Sequence, residues 1–206
     1  MSSAAMSLSI SQGAHESFER AMGEPDNLIA IAKRREGRGR RAEESSLNRA
    51  AVVTTVAAWQ VLCEGLAKAA LAELERGSLQ GTLGAALSHM VRESASRKIQ
   101  RFNTPNTSNA IDLFAAVGVD AEGVWNGLTF KRKRLEVAAV KKTVDAWVNV
   151  RHQVAHGEVE LKGKYVLSKT KGGCSLRRND AERCMSFFRV LALETCQGVD
   201  ARYGKQ

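Results

Sequence analysis

Arg151-His152-Gln153-Val154-Ala155-His156-Gly157 gathers one guanidinium and two imidazoles into seven consecutive residues. An imidazole takes up and releases a proton near neutral pH, which suits general acid–base work. A guanidinium stays charged, and its planar fork can hold two oxygens of one phosphate. The set therefore fits proton transfer beside an anion. His152 and His156 also stand four apart, the spacing of a helical pair of metal ligands. However, no glutamate follows His152 as in the H-E-x-x-H helix, and only His15 and His89 remain elsewhere. No metal and no cofactor are expected.

A helix is expected to carry these residues, running from Leu135 to His156 and stopped by Gly157. At ~100° per residue, Val137, Val140, Val144, Trp147, Val148, Val154 and Ala155 form its core stripe. Asp145, Asn149, His152 and His156 make a polar line on another face, at spacings of four, three and four. Arg151 falls in the apolar sector. Burying it unpaired costs several kcal/mol, so it either snorkels from the last turn, meets a carboxylate, or faces an anion or partner chain.

Alanine, leucine and charged helix formers dominate the chain, aromatics are 5%, and there are only two prolines, so an all-α bundle is expected. Ser7 to Arg35 reads as helix, with a break at Gly23-Glu24-Pro25. Six of the nine residues Lys33–Arg41 are basic, which reads as an exposed connector or an RNA-contacting arm. Ser45 or Ser46 caps a long core helix from Leu47 to Glu75. Shorter helices follow at Gly81–His89 and Val91–Phe102. Thr107 or Ser108 caps another through Val117, closed by Gly118. Asp120–Phe130 reads as a loop or short turn, and Lys131–Arg134 as the opening of the motif helix. Residues 158–178 form a hairpin-like excursion or loop, and Asn179 or Asp180 caps a last helix through about Gln197. The expected organisation is an N-terminal helical arm and basic linker at 1–45, then one helical domain at 46–202.

A net charge of +9 favours an anionic partner. Nucleic acid is preferred to membrane, because no basic amphipathic helix with an aromatic face is evident and no stretch approaches ~20 apolar residues. Lys131, Arg132, Lys133 and Arg134, with Lys141 and Lys142, are candidate RNA contacts, as are Lys162, Lys164, Lys169 and Lys171; each set also reads as a solvated face. Trp125 and Phe130 read as core aromatics or as base-stacking groups. The cysteines Cys63, Cys174, Cys184 and Cys196 show no C-x-x-C spacing, and Cys63 reads as a buried apolar residue. With no signal-like N-terminus, a cytoplasmic location is expected.

"VRHQVAHGE", at the end of a long helix, resembles the R-x4–6-H signature of HEPN domains. "RFNTPNTSNAIDLFAAVGVD" with Trp125 resembles the segment preceding that motif in the RiboL-PSP branch, and Leu47–Leu74 its alanine-rich helix; the likeness spans about Leu47 to Leu193. The resemblance implies an up-down helical bundle, here with an extra N-terminal helix and an excursion after the motif helix. It implies a homodimer whose motifs share a composite cleft, and metal-independent RNA cleavage in which a 2′-hydroxyl attacks the adjacent phosphate to leave a 2′,3′-cyclic phosphate. By position, His156 is the general acid/base and Arg151 holds the scissile phosphate. His152 occupies a polar position that is often Asn or Asp in the family. An acidic residue of the earlier helix supports the site in the family; Glu64 is the candidate, unless Gln60 takes that place. Asp145 and Asn149 are further candidate supports. A toxin or defence effector, restrained by an antitoxin or working with a defence-system partner, is one such enzyme. The alternatives are a catalytically silent HEPN module binding RNA or a partner protein, and a plain helical interaction domain.

Overall fold

The computed structural model describes residues 9–34, 41–77, 81–163, 165–170 and 173–204. They form an all-α bundle with two small hairpins: α1 (Gln12–Arg34), α2 (Arg41–Arg76), α3 (Gly81–Gln100), α4 (Thr107–Ala115), α5 (Ala121–Trp125), β1 (Thr129–Phe130), β2 (Lys133–Arg134), α6 (Val137–Ala155), β3 (Ser168–Thr170), β4 (Gly173–Ser175) and α7 (Arg178–Tyr203). Most of the basic connector (35–40), Lys164 and Lys171 lie outside the described residues.

Long-range polar contacts fix the helix directions. Ser11 donates its N–H to Asp200 at 3.0 Å, Arg189 pairs with Asp26 at 2.6 Å and Lys33 with Glu182 at 2.8 Å, so α1 and α7 run antiparallel. Gly65 of α2 abuts Ala14 of α1, where a Cβ on Gly65 would come within 2.9 Å of the Ala14 Cβ; that closeness requires glycine. Arg49, near the start of α2, donates to the carbonyls of Glu158 and Val159 just past α6, at 2.7 and 2.8 Å. Thus α1 and α6 point one way, α2 and α7 the other. One pole collects the end of α6 with the beginnings of α2 and α7.

A single core fills the bundle. Trp59 of α2 packs on Phe188 and Trp125 with ring centroids 5.7 and 6.3 Å apart, and Trp147, Phe114 and Phe187 are fully buried around them. α1 enters this core through Phe18, Met22, Ile29 and Ala32, so it is a helix of the bundle and not a separate arm. α2 is the central helix; it is long and apolar enough to cross a membrane, contrary to the sequence expectation, and 56% of its most apolar window is buried inside the bundle.

Several boundaries differ from expectation. α1 passes through Pro25 unbroken, because Met22, Pro25 and Ile29 bury on one stripe and Asp26 is held by Arg189. α2 begins before Ser45 and Ser46; Ser46 returns its hydroxyl to the Ala42 carbonyl inside the helix. One helix, α3, replaces the two shorter ones. Asn106 caps α4 by accepting the Asn109 N–H at 2.9 Å, which frees Thr107 to bond elsewhere. Asp120 caps the short α5. Lys131–Arg134 is not helical: β1 and β2 pair across a two-residue turn with both Lys131 (φ 49°) and Arg132 (φ 64°) left-handed. The stop glycines Gly118 (φ 71°) and Gly157 (φ 75°) are placed as expected. The excursion is a hairpin, Ser168 opposite Ser175.

Candidate functional site

α6 enters the bundle on Val140, Val144, Trp147 and Val148. In its last turns the buried face rolls round to Val150 and Gln153, because the excursion folds back along that side. Ala155, expected in the core, is exposed, and Val154 is half-buried. Arg151 keeps its position in line with the core stripe. It is half-buried, and no described residue hydrogen-bonds or ion-pairs with it, so the carboxylate alternative does not hold.

His152 is half-buried and His156 is exposed. Their rings lie nearly parallel, 10° apart, with centroids 6.3 Å apart. His156 is the C-cap of α6, its N–H bonded to the His152 carbonyl at 3.0 Å, and Gly157 then turns the chain away. One guanidinium and two imidazoles therefore stand on consecutive turns at an open pole, with no partner among the described residues for their side-chain nitrogens.

Two residues that sequence reasoning did not single out shape this end. Gln153 is 5% exposed; its side chain donates to the Lys162 and Asn149 carbonyls and accepts the Lys162 N–H. Arg49 holds the two carbonyls after Gly157. Together they pin the segment following His156 to α6 and α2 and keep it off the imidazoles. The available signal for Gln153 is a polar side chain two residues from Arg151 and four before the helix-stopping Gly157.

The remaining candidates divide. Asn149 is exposed on the polar line, one turn before His152. Asp145, about 16 Å along the helix from His156, accepts the Thr107 N–H and hydroxyl at 2.9 and 2.8 Å, which fastens α4 to α6. Glu64 accepts from Gln60 at 3.0 Å and faces Lys68, while Gln60 also donates to the Phe102 carbonyl. Since Arg49 marks the level of the motif on α2, Glu64 stands about 22 Å further along that helix. Neither Glu64 nor Gln60 joins Arg151 and His156 within one protomer.

Lys131, Arg132, Lys133 and Arg134 are all exposed on the β1–β2 hairpin, at the far end of α6 from the histidines. Lys141 pairs with Glu122 at 2.6 Å. Lys142 lies 4.4 Å from the ring centre of Tyr165, which is 48% exposed and was not among the expected contacts. Trp125 is buried with its N–H bonded to Thr195, and Phe130 packs edge-on against Phe187 at 5.4 Å, so both are core groups. Among the described residues, no three His, Cys, Asp or Glu side chains converge as a metal site would need. Burial holds the thiols of Cys63 and Cys184 well above the ordinary range and pushes Cys196 up to about 11. Comparison with protein-family models, with curated proteins and with solved structures finds no match.

Proposed function

We propose that the chain is a metal-independent endoribonuclease of the HEPN kind, working as a homodimer whose two α6 ends face one cleft. The observation that carries this reading is the uncommitted trio of Arg151, His152 and His156 at an open pole. RNA transesterification needs a base for the 2′-hydroxyl, an acid for the leaving 5′-oxygen and a cation beside the developing phosphorane charge. Arg151 supplies the cation. An imidazole takes the 2′-hydroxyl proton as that oxygen bonds to phosphorus. A second, protonated imidazole gives its proton to the 5′-oxygen as the P–O bond breaks, leaving a 2′,3′-cyclic phosphate and a 5′-hydroxyl. The two rings of one subunit, or the His156 pair of a dimer, suffice for both transfers.

The exposure of His156 supports this reading, because a proton carrier sealed in the core could not meet substrate. Labelled RNA incubated with the protein in EDTA is expected to be cut, and His156→Ala to abolish cutting. Light scattering is expected to return a dimer at micromolar concentration; a strict monomer that still cleaves would transfer the whole role to the His152–His156 pair. A second reading is a catalytically silent RNA- or protein-binding module, favoured by the commitment of Glu64 to Gln60 and Lys68. RNA retention without cleavage in the same assay selects it.

A further inference from the structure

α3 is built inside out. It buries Gly84, Ala95 and Ile99 and leaves Leu83, Leu87, Met90 and Val91 75%, 46%, 66% and 46% exposed. On a wheel of ~100° per residue these four form one continuous apolar stripe, about 100° wide. A stripe of that width faces a partner, whereas apolar residues exposed singly carry no such meaning. Along its edge, Leu71 and Leu74 of α2 join Leu87 and Val91 around a hollow of about 200 Å³. α3 runs antiparallel to α2, because Arg92 faces Glu75 and the Phe102 carbonyl accepts from Gln60. The stripe therefore lies at the pole opposite the histidines.

Charge decides what covers it. Gly81 to Val91 has no Asp, Glu, Lys or Arg, in a chain that is 26% charged. RNA finds no cation there, and two copies of a chain of net charge +9 meet there without opposing like charges. The two ends of the stripe differ in sign. Beyond its C-terminal side stand Arg97 and Arg101, both exposed and neither ion-paired among the described residues. Beside its start stands the carbonyl end of α2, the negative pole of a 36-residue helix, with the exposed Glu75 reaching Arg92 only at 3.9 Å. An antiparallel pair of α3 helices sets each basic end against the partner's negative end, while a parallel pair stacks Arg97 on its own copy. The face complements itself about a twofold axis, as an isologous contact requires.

We propose that a second copy of the chain covers this stripe, its α3 antiparallel to the first, with Leu87 and Met90 nearest the axis. The contact is separate from the cleft proposed for the α6 ends and does not rest on it, since it leaves the two sets of histidines at the far ends of the pair. Where both contacts are filled, cleft dimers join through α3 into larger assemblies. The stripe spans about two and a half turns of helix. It therefore fills at higher concentration than an interface of standard size, roughly 800 Å² per partner.

Sedimentation velocity of the full chain from micromolar to near-millimolar concentration provides the test. The parent is expected to gain mass as concentration rises, whatever its mass at the dilute end, which reads the cleft dimer alone. Leu83→Glu and Met90→Glu are each expected to weaken that gain about tenfold or more. Both side chains face solvent in the single chain, so melting temperature is expected to stay at the parental value. Disulfide trapping in a Cys174→Ser background reads the orientation without adding charge. Leu87→Cys is expected to bridge to its copy on mild oxidation and Leu83→Cys is not, because antiparallel pairing holds the two 83 positions about 12 Å or more apart, beyond the ~7 Å reach of a disulfide. The proposal is overturned if the parent gains no mass, if neither charged variant weakens the gain, or if Leu87→Cys bridges no better than Leu83→Cys.

Discussion

The Gln153 side chain pairs with the backbone of Lys162 in both directions, donating to its carbonyl at 3.0 Å and accepting its N–H. This amide clamp decides where the chain goes after His156. Gln153→Leu keeps the volume and strands both backbone groups, so stability is expected to fall by about 1–3 kcal/mol. Hydrogen exchange over residues 158–163 is expected to accelerate more than exchange in α7. Uniform acceleration across both segments would mean that the clamp is not local.

Substitution of the exposed imidazoles is expected to separate chemistry from folding. His156→Gln should leave unfolding free energy within about 0.5 kcal/mol of the parent. Single-turnover RNA cleavage should drop about 100-fold or more, because an amide hydrogen-bonds but does not exchange protons. His152→Ala, measured beside it, weighs the second ring: a loss as deep as that of His156→Gln assigns His152 a proton of its own.

Asp145 is expected to act on folding alone. It ties the first turn of α4 to α6 through Thr107, which is 3% exposed. Thr107→Val should cost about 1–2 kcal/mol in denaturant titration, and Asp145→Asn should likewise destabilise. The cleavage rate per folded molecule should stay at the parental value. A lower rate at unchanged stability would return Asp145 to the site.

The Lys142–Tyr165 contact offers an exposed aromatic ring beside a cation on the flank of α6. Base stacking on such a ring is worth about 1–3 kcal/mol. Tyr165→Ala is thus expected to weaken single-stranded RNA binding by that amount with little change in melting temperature. Lys142→Ala should mainly flatten the salt dependence of binding. Fluorescence anisotropy at two or three salt concentrations reads both.

Alkaline pH is expected to loosen the fold. Burial raises the Cys196 thiol from 9.0 to about 11 and pushes Cys63 and Cys184 upward as well. Between the unfolded and folded values the native state binds more protons than the unfolded one, so stability declines as pH rises. Below pH 9 this contribution is fully present. Melting temperatures should fall from pH 9 to 11, and Cys196→Ala should shallow the decline.

The sequence made the helices legible where period and punctuation agreed. The α2 stripe and the stops at Gly118 and Gly157 follow from local rules. It misled where a tertiary contact overrode a local signal: Pro25 stays inside α1 because it is buried on one stripe with Met22 and Ile29, and Asn106 displaces Thr107 as cap because Thr107 is claimed by Asp145. Lys131–Arg134 looked like a helix start because lysine and arginine are good helix formers, whereas the pairing of β1 with β2 demands a tight turn. Arg151, His152 and His156 were legible as a group from spacing alone. Gln153 and Arg49 were not, since their roles rest on residues outside their own helices.

The contact between Ser11 and Asp200 carries a practical corollary. The first described turn and the last one are neighbours, and both sit at the pole opposite the imidazoles. A label attached at Ser9 or near Asp200 therefore lies at the end of the bundle remote from His156. A circular permutant joined across that contact and reopened between α1 and α2 is expected to fold.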